Sequence, residues 1–231
     1  MRNGLPILVA CSHGTRDLAG QRAIDQLRDA IRARRPEVTV VQAYVDVQPP
    51  ALSDVLHDIE PAVVVPVLLS SGYHVNVDIA EAVAAAGPHV RTASALGPAS
   101  ELVDVLAQRL NEAAVSPDHA VVLAAAGSSV RRAVTDVEQT AADLAERLGR
   151  PVMPAFASAA DPRVDQAVAQ SRSNGQPVAI ASYLLAPGFF YDQLSNARAD
   201  VVTAPLLPHP AIAQLVLRRF DETIGAGDTG G

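Results

Sequence analysis

The feature that most constrains the fold of this chain is a succession of strands and helices whose landmarks occur twice. Three landmarks of the first half, two glycines that follow apolar runs and one proline that precedes a helix, recur in the same order. Each recurs 110 to 116 residues later, and this narrow spread indicates an internal duplication rather than chance. The pairs are Gly14 with Gly127, Gly72 with Gly188, and Pro98 with Pro208.

The duplication sets the predicted domain organisation. We expect one domain over 1–116 and a second over 117–224, separated by a short polar segment around Ser116 that contains a proline. The last residues, 225–231, are rich in glycine and are expected to form a frayed tail.

Apolar runs rich in β-branched residues alternate with amphipathic segments in both halves. In one such segment Leu102, Leu106 and Leu110 recur at helical spacing and share one face. Continuously apolar runs indicate strands buried on both faces, as in a parallel sheet covered by helices, and an α/β fold of this type binds ligands at the carboxyl ends of its strands. The predicted strands are 7–11, 38–45, 63–69 and 90–96, and then 121–126, 151–157, 178–185 and 201–206.

Length, composition and charge argue against several classes of function. A length of 231 residues, 49% of them hydrophobic, allows two small domains with cores of their own. No apolar run reaches the length of a membrane span and we find no signal sequence, so we expect a cytoplasmic protein without membrane contact. A net charge of −7 without a basic cluster argues against nucleic acid as a partner. Cys11, the single cysteine, lies in an apolar run and is predicted to be a buried thiol.

Histidines follow two predicted strands of the first half and are missing from the corresponding places of the second. His13 follows the first strand and His74 the third, whereas Ala126 and Phe190 stand there in the second half. Because neighbouring strands end side by side, the two imidazoles could converge on one ion, and Asp46 after the second strand could add a carboxylate. Such a set suits an exchangeable divalent transition metal. Each residue also has a structural explanation, since loop histidines are commonly solvated and Asp46 precedes prolines in a segment typical of a turn.

Cations and aromatic residues near the same strand ends are candidates for ligand binding. Arg16 lies just past the first strand-to-helix turn, where it could pair with an acidic ligand, as could Arg131 and Arg132 in the second half. Phe189 is one of six aromatic residues in or just after predicted strand ends, where apolar walls could enclose a wide planar ligand. Equally, the arginines could be solvated surface residues and the aromatic rings could pack between the domains.

Three segments together resemble the sirohydrochlorin chelatases, the class II chelatases of sirohaem and cobalamin synthesis. They are Ser-His-Gly-Thr-Arg at 12–16, Tyr-Val-Asp at 44–46, and Ser-Ser-Gly-Tyr-His-Val-Asn-Val-Asp-Ile at 70–79. The layout of the whole chain is similar to the long, internally duplicated form of that family. The resemblance implies two flavodoxin-like α/β domains, each a four-stranded parallel sheet flanked by helices, with a cleft between them and the active site in the first.

The resemblance also implies roles for individual residues. His13 corresponds to a metal ligand and proton acceptor, and His74 to the second ligand, while Asp46 stands at a position that is commonly glutamate in the family. The implied reaction inserts a divalent metal, Fe2+ in preference to Co2+, into sirohydrochlorin without ATP and without a permanently bound cofactor. The loop that would lie under the tetrapyrrole comprises Ser70, Ser71, Gly72, Tyr73, His74 and Val75.

Two other functions remain open at the level of sequence. A histidine phosphatase also carries a His-Gly pair after its first strand, although that chemistry usually places an arginine directly before the histidine, where this chain has Ser12. A tetrapyrrole or metal carrier would use the same cleft and ligands without turnover. The physiological metal and the pathway, sirohaem or cobalamin, also remain open. Because both halves lie in one chain, a monomer could complete the cleft.

Overall fold

The structure is a computed structural model that describes residues 4–70, 72, 75–172 and 175–228. The elements of the first half are β1 (Ile7–Ser12), α1 (Leu18–Arg34), β2 (Val40–Tyr44), α2 (Leu52–His57), β3 (Ala62–Pro66), a π-helical turn (Val75–Ile79), α3 (Ala80–Ala86), β4 (Val90–Thr92) and α4 (Ser100–Glu112). Those of the second half are β5 (Ala120–Ala125), α5 (Arg131–Leu148), β6 (Val152–Phe156), α6 (Val164–Arg172), β7 (Val178–Tyr183), α7 (Phe189–Leu194), a 3-10 turn (Ser195–Ala197), β8 (Val201–Val202) and α8 (Pro210–Asp228).

Each half contributes one four-stranded parallel sheet, in the order β2-β1-β3-β4 and β6-β5-β7-β8. The predicted α/β fold class is therefore confirmed. The central strands β1, β3, β5 and β7 are apolar at almost every position because helices cover both of their faces. The predicted strands 90–96 and 201–206 are too long, since β4 and β8 pair over three and two residues only.

The compact units do not coincide with the two halves of the sequence. One unit comprises 1–96 together with 210–231, and the other comprises 97–209. Helix α8, from the second half, packs against α1 and β3, while α4, from the first half, packs against α5 and β7. The predicted boundary at residues 116 and 117 separates the sequence repeats but cuts through the second compact unit, because each repeat ends in a helix that belongs to the other repeat's sheet.

The carboxyl end of the chain is more ordered than the sequence suggested. Helix α8 continues to Asp228, so the predicted tail over 225–231 is wrong for its first four residues. None of the helices within the described residues combines the length and the apolar character needed to cross a membrane.

Candidate functional site

His13 lies at the carboxyl edge of the first sheet, directly after the central strand β1. The loop after β3 lies beside it, because the Val67 N–H donates a hydrogen bond of 2.7 Å to the Cys11 carbonyl. The loop after β2 lies on its other side, where the Val45 N–H donates to the Ser12 carbonyl at 3.0 Å. His13 itself is half-buried. The parallel sheet thus brings the three predicted loops to one edge, as the order of its strands requires.

Gly14 allows the loops after β1 and β2 to touch. Its φ is +94°, and a Cβ atom at this position would lie 2.2 Å from the Asp46 carbonyl oxygen. The contact also includes a hydrogen bond of 3.1 Å from the Asp46 N–H to the His13 carbonyl. Any side chain here would both strain the backbone and force the Asp46 loop away from His13.

Asp46 combines a structural role with an exposed carboxylate. One carboxylate oxygen accepts a hydrogen bond of 2.7 Å from the Val47 N–H, in a turn where Val47 has a φ of +67°. This is the turn-forming role that the sequence also allowed. In the part of the chain that the structure describes, no three His, Cys, Asp or Glu side chains are arranged to hold a metal ion. His74 lies outside that part, so the predicted ligand set of His13, His74 and Asp46 stays a prediction.

The predicted substrate loop after β3 is described only in part. Ser71, Tyr73 and His74 lie outside the described residues, whereas Ser70 and Gly72 are half-buried. Val75 opens the π-helical turn that leads into α3. Their predicted contacts with a tetrapyrrole stay predictions.

Arg16 is exposed on the loop between His13 and α1. The next residue, Asp17, caps α1 by accepting a hydrogen bond of 2.7 Å from the Gly20 N–H. This cap satisfies a free N–H at the helix start and thereby fixes where the loop ends. Arg16 therefore projects its charge from an anchored segment beside His13.

Phe189 lies in the other unit, at the first position of α7. It is 72% exposed, and its ring meets that of Phe190 edge to face with centroids 5.4 Å apart. Phe190 in turn packs against the core of this unit. An aromatic ring held in this way but open to solvent can form a wall for a planar ligand. Tyr44 and Phe156, two others of the six aromatic residues in or just after predicted strand ends, are buried instead.

His209 follows the last strand of the second unit and contacts α4. Its Nε2 lies 3.0 Å from the Gln108 side-chain oxygen. Burial, and then the nearby Arg109 guanidinium, lower the pKa of the imidazole, while Glu112 acts in the opposite direction. These contacts account for His209 as part of the packing of this unit.

The second unit repeats the His13 turn without its imidazole. Ala126 occupies the place of His13, and Gly127 has a φ of +95°. A Cβ on Gly127 would lie 1.8 Å from the Ser158 carbonyl oxygen, and the Ser158 N–H donates to the Ala126 carbonyl at 2.8 Å. The backbone of the turn is thus the same in both units, and only the first carries an imidazole on it.

The model of one protein family, CbiX, matches residues 7–113 and 120–223, that is, both repeats. The chain belongs to the CbiX family. The sequence-based assignment to the sirohydrochlorin chelatases is thereby confirmed, and the two matched segments correspond to the two repeats predicted from the spacing of glycines and prolines.

Solved structures resemble this CbiX protein over nearly its whole length. SirB from Bacillus subtilis with Fe3+ matches with a TM-score of 0.83 and 21% identity, covering 98% of both chains. SirB from Bacillus subtilis subspecies spizizenii in complex with cobalt matches with a TM-score of 0.79 and 18% identity, again over 98% of both. DR2241 from Deinococcus radiodurans, a multi-domain protein, matches 94% of this chain and 54% of its own, with a TM-score of 0.71 and 23% identity. A sequence comparison with curated proteins finds no match. At these identities the likeness establishes the fold.

One group of polar side chains beside His13 was not singled out from the sequence. The Gln48 side-chain oxygen accepts a hydrogen bond of 2.7 Å from the Thr15 N–H, two residues after His13. On the neighbouring edge strand β2, the Gln42 amide nitrogen donates a hydrogen bond to the Tyr44 hydroxyl. Glutamines in a loop and on an edge strand form no recognisable spacing, so the only sequence signal was their absence from the second repeat, where Ala160 and Pro154 occupy the matching positions.

Proposed function

We propose that the protein is a sirohydrochlorin chelatase that inserts a divalent metal into the macrocycle. The observation that carries this proposal is the His13-Gly14 turn at the carboxyl edge of the first sheet, in a chain of the CbiX family. The second repeat has the same turn but Ala126 in place of the histidine, so we assign the reaction to the first unit alone.

Insertion exchanges one divalent cation for the two pyrrole protons of the macrocycle. Two of the four ring nitrogens carry protons and release them to an acceptor as the nitrogen–metal bonds form, and the metal leaves its protein ligands in the same process. His13, in its neutral form, is our candidate for metal ligand and proton acceptor, and His74 for the second ligand. Asp46 is the candidate third ligand, since its carboxylate is exposed and its backbone is hydrogen-bonded to that of His13.

Substrate recognition is assigned to residues around this edge. Sirohydrochlorin carries carboxylates on its rim, and the exposed Arg16 next to the His13 turn can pair with one of them. Ser70, Gly72 and Val75, with Ser71 and Tyr73, would support the ring from the loop after β3. Phe189 belongs to the other unit and is a candidate for substrate binding because its aromatic face is exposed.

Fe2+ is the metal that we favour as substrate, with Co2+ as the alternative. Imidazole and carboxylate ligands bind both ions, so selection between them depends on availability in the cell rather than on this ligand set. The SirB structures with iron and with cobalt agree with a family that accommodates either metal. The metal is a substrate in this proposal, and no resident cofactor is required. A cytoplasmic location and a monomeric state remain part of the proposal.

The test is anaerobic conversion of sirohydrochlorin followed by absorbance, with Fe2+ or Co2+ and substoichiometric protein. We expect turnover that His13→Ala and His74→Ala each reduce by about a hundredfold or more, the scale of a lost general base. His57→Ala is the matched control, because His57 is an exposed histidine at the end of α2 in the same unit.

Three outcomes would contradict parts of the proposal. Stoichiometric binding of the macrocycle without acceleration over the uncatalysed reaction would identify a carrier. Hydrolysis of a phosphate ester by the wild-type protein, lost in His13→Ala, would favour the histidine phosphatase. Full activity of both active-site variants would place the reaction elsewhere in the chain.

A further inference from the structure

The loop after β2 carries an exposed apolar side chain, Val47, beside the His13 turn. Val47 is 43% exposed. The residue before it contacts the turn, because the Asp46 N–H donates a hydrogen bond of 3.1 Å to the His13 carbonyl. The residue after it does the same, since the Gln48 side-chain oxygen accepts from the Thr15 N–H at 2.7 Å. Val47 is therefore held between two contacts with the segment that carries the imidazole.

The backbone of Val47 has a conformation that valine rarely adopts. Its φ is +67°, and it is the central residue of a γ-turn closed by a hydrogen bond of 2.7 Å from the Gln48 N–H to the Asp46 carbonyl. A γ-turn with positive φ is rare and strained, and the left-handed region suits glycine, asparagine and aspartate rather than a residue branched at Cβ. In the described part of the chain, Val47 is the only β-branched residue with a positive φ.

The second unit forms the same γ-turn with a smaller residue. Ala159 has a φ of +57°, and the Ala160 N–H donates a hydrogen bond of 2.7 Å to the Ser158 carbonyl. The turn therefore needs the left-handed conformation in both units, and alanine is sufficient for it. The geometry of the turn does not account for the two additional methyl groups that Val47 carries in the unit with the imidazole.

The side chain of Val47 is suited to contact a rigid apolar surface. A side chain branched at Cβ has few accessible rotamers, and the backbone of Val47 is fixed by the contacts of both neighbouring residues with the turn. An exposed isopropyl group that is fixed in this way gains free energy when an apolar ligand covers it.

The macrocycle of the proposed reaction has such a surface. Its charges lie on the rim, where the exposed Arg16 can pair with a carboxylate, whereas its conjugated faces are apolar. A ring that brings its nitrogens to the His13 imidazole must lie over the edge of the sheet where the loop with Val47 ends. Arg16 and Val47 thus match two different parts of one ligand, its rim and its face.

We propose that Val47 is a substrate-binding residue whose isopropyl group packs against the face of the tetrapyrrole beside His13. This inference rests on the proposed function for the identity of the ligand, and it adds a residue that contacts the ring itself. Backbone strain that the fold does not require is commonly found at sites that bind a ligand, and the exposed apolar group next to the imidazole indicates which ligand surface is bound here.

The test compares Val47→Ala, Val47→Asn and Val47→Leu with the wild-type protein. Alanine is the residue that the second unit carries at this position, as Ala159, so the first variant is expected to fold. Asparagine is accepted in the left-handed region but is polar, and leucine keeps an apolar side chain without the branch at Cβ. The matched control is Leu5→Ala, because Leu5 is 47% exposed in the same unit but precedes β1, at the opposite edge of the sheet.

The first readout is the Kd for metal-free sirohydrochlorin, measured by absorbance titration without metal or turnover. Val47→Ala and Val47→Asn should bind about fivefold more weakly, the effect of about 40 Å² of apolar surface that the ring no longer covers. Val47→Leu should stay within about twofold of wild type, and Leu5→Ala should be unchanged. The ratio for Val47→Ala should be the same in low and high salt, whereas that for Arg16→Ala should shrink as salt screens its charge.

The second readout is the NMR signal of the methyl groups, with thermal unfolding as a check on the fold. The ring current of the macrocycle shifts protons that lie over its face upfield, so the Val47 methyl signals, assigned by their absence from Val47→Ala, should move upfield when metal-free sirohydrochlorin is added. The Leu5 methyl signals should not move. Val47→Asn should unfold at the wild-type temperature or above it, because the left-handed backbone accepts asparagine with less strain.

An unchanged Kd in Val47→Ala, or Val47 methyl signals that do not move, would overturn the contact, while metal insertion lost in His13→Ala would leave the proposed function standing. Weaker binding together with a lower unfolding temperature in Val47→Asn would assign Val47 to the fold and also overturn it. If the wild-type protein bound sirohydrochlorin without accelerating metal insertion, the proposed function would fail and the two readouts would still decide the contact. Absence of binding by the wild-type protein would overturn both.

Discussion

Replacing one leucine on the last helix should loosen the first sheet rather than the second. Leu215, on α8, and Leu106, on α4, are both fully buried, and α8 belongs to the unit that contains β1 and β3. Truncation to alanine removes about three methylene equivalents, about 2.4 kcal/mol of transfer free energy, and with the cavity that remains the loss is about 3 kcal/mol. Leu215→Ala should therefore destabilise the first unit and Leu106→Ala the second, although each residue lies in the opposite half of the sequence.

Native-state hydrogen exchange followed by mass spectrometry measures this directly. A loss of about 3 kcal/mol corresponds to exchange about 150-fold faster in the affected sheet. Leu215→Ala should show this change in β1 and β3, and Leu106→Ala in β5 and β7, because α8 packs against α1 and β3 whereas α4 packs against α5 and β7. Acceleration of β5 and β7 by Leu215→Ala to the same degree as β1 and β3 would refute the assignment of α8 to the first unit.

Three further predictions concern single residues around the site. Gly14→Ala should lower stability and activity more than Gly87→Ala does. Both glycines have φ near +95°, but only at Gly14 would the new Cβ meet backbone, 2.2 Å from the Asp46 carbonyl oxygen. Thermal unfolding and turnover of the two variants measure the difference, and equal losses would contradict the contact. Burial raises the pKa of Cys11 from 9.0 to about 12, so the folded state holds its proton where the unfolded state has lost it, and stability falls as pH rises from 9 towards 12. Urea unfolding at pH 9 and 10.5 should therefore show a loss of about 1.6 kcal/mol that is absent from Cys11→Ala, and parallel losses in both proteins would exclude this origin. Arg16→Ala should raise KM for sirohydrochlorin while leaving kcat within about twofold, because an exposed cation beside the site contributes to binding rather than to metal exchange. An unchanged KM would exclude Arg16 from the substrate site.

The fold class and the duplication could be predicted because their signals are local. Each strand is a short apolar run, and Gly14 and Gly127 stand where the turn needs a positive φ and a close backbone contact. The exchange of the last helices could not be predicted in this way. The apolar face of α4 indicates that Leu102, Leu106 and Leu110 are buried, but an apolar face packs equally well on any complementary sheet. The choice between the two sheets is a property of the tertiary structure.

The functional site likewise has one part that the sequence predicts and another that it does not. The sequence predicted that the loops with His13 and Asp46 lie together, because strand order in a parallel sheet places their ends at one edge, and the backbone hydrogen bond between them agrees. The contact from Gln48 to Thr15 joins residues 33 positions apart through a side chain and depends on the exact path of two loops. No periodic pattern of residues in the sequence predicts such a contact. The burial of Tyr44 was missed for the same reason, since the end of a strand can face either solvent or a packed helix.

The two units together show which parts of the site belong to the fold and which to the chemistry. The glycine with positive φ, the contact with the following loop and the hydrogen bonds that close it are shared, so they are requirements of the strand-to-helix turn itself. The imidazole of His13 and the hydrogen bond from the Thr15 N–H to the Gln48 side chain occur in one unit only, since Ala126 and Ala160 stand at the matching positions of the other. The two units therefore differ in side chains, the His13 imidazole and the Gln48 amide, and not in the backbone of the turn. For this reason the proposed reaction is assigned to the first unit.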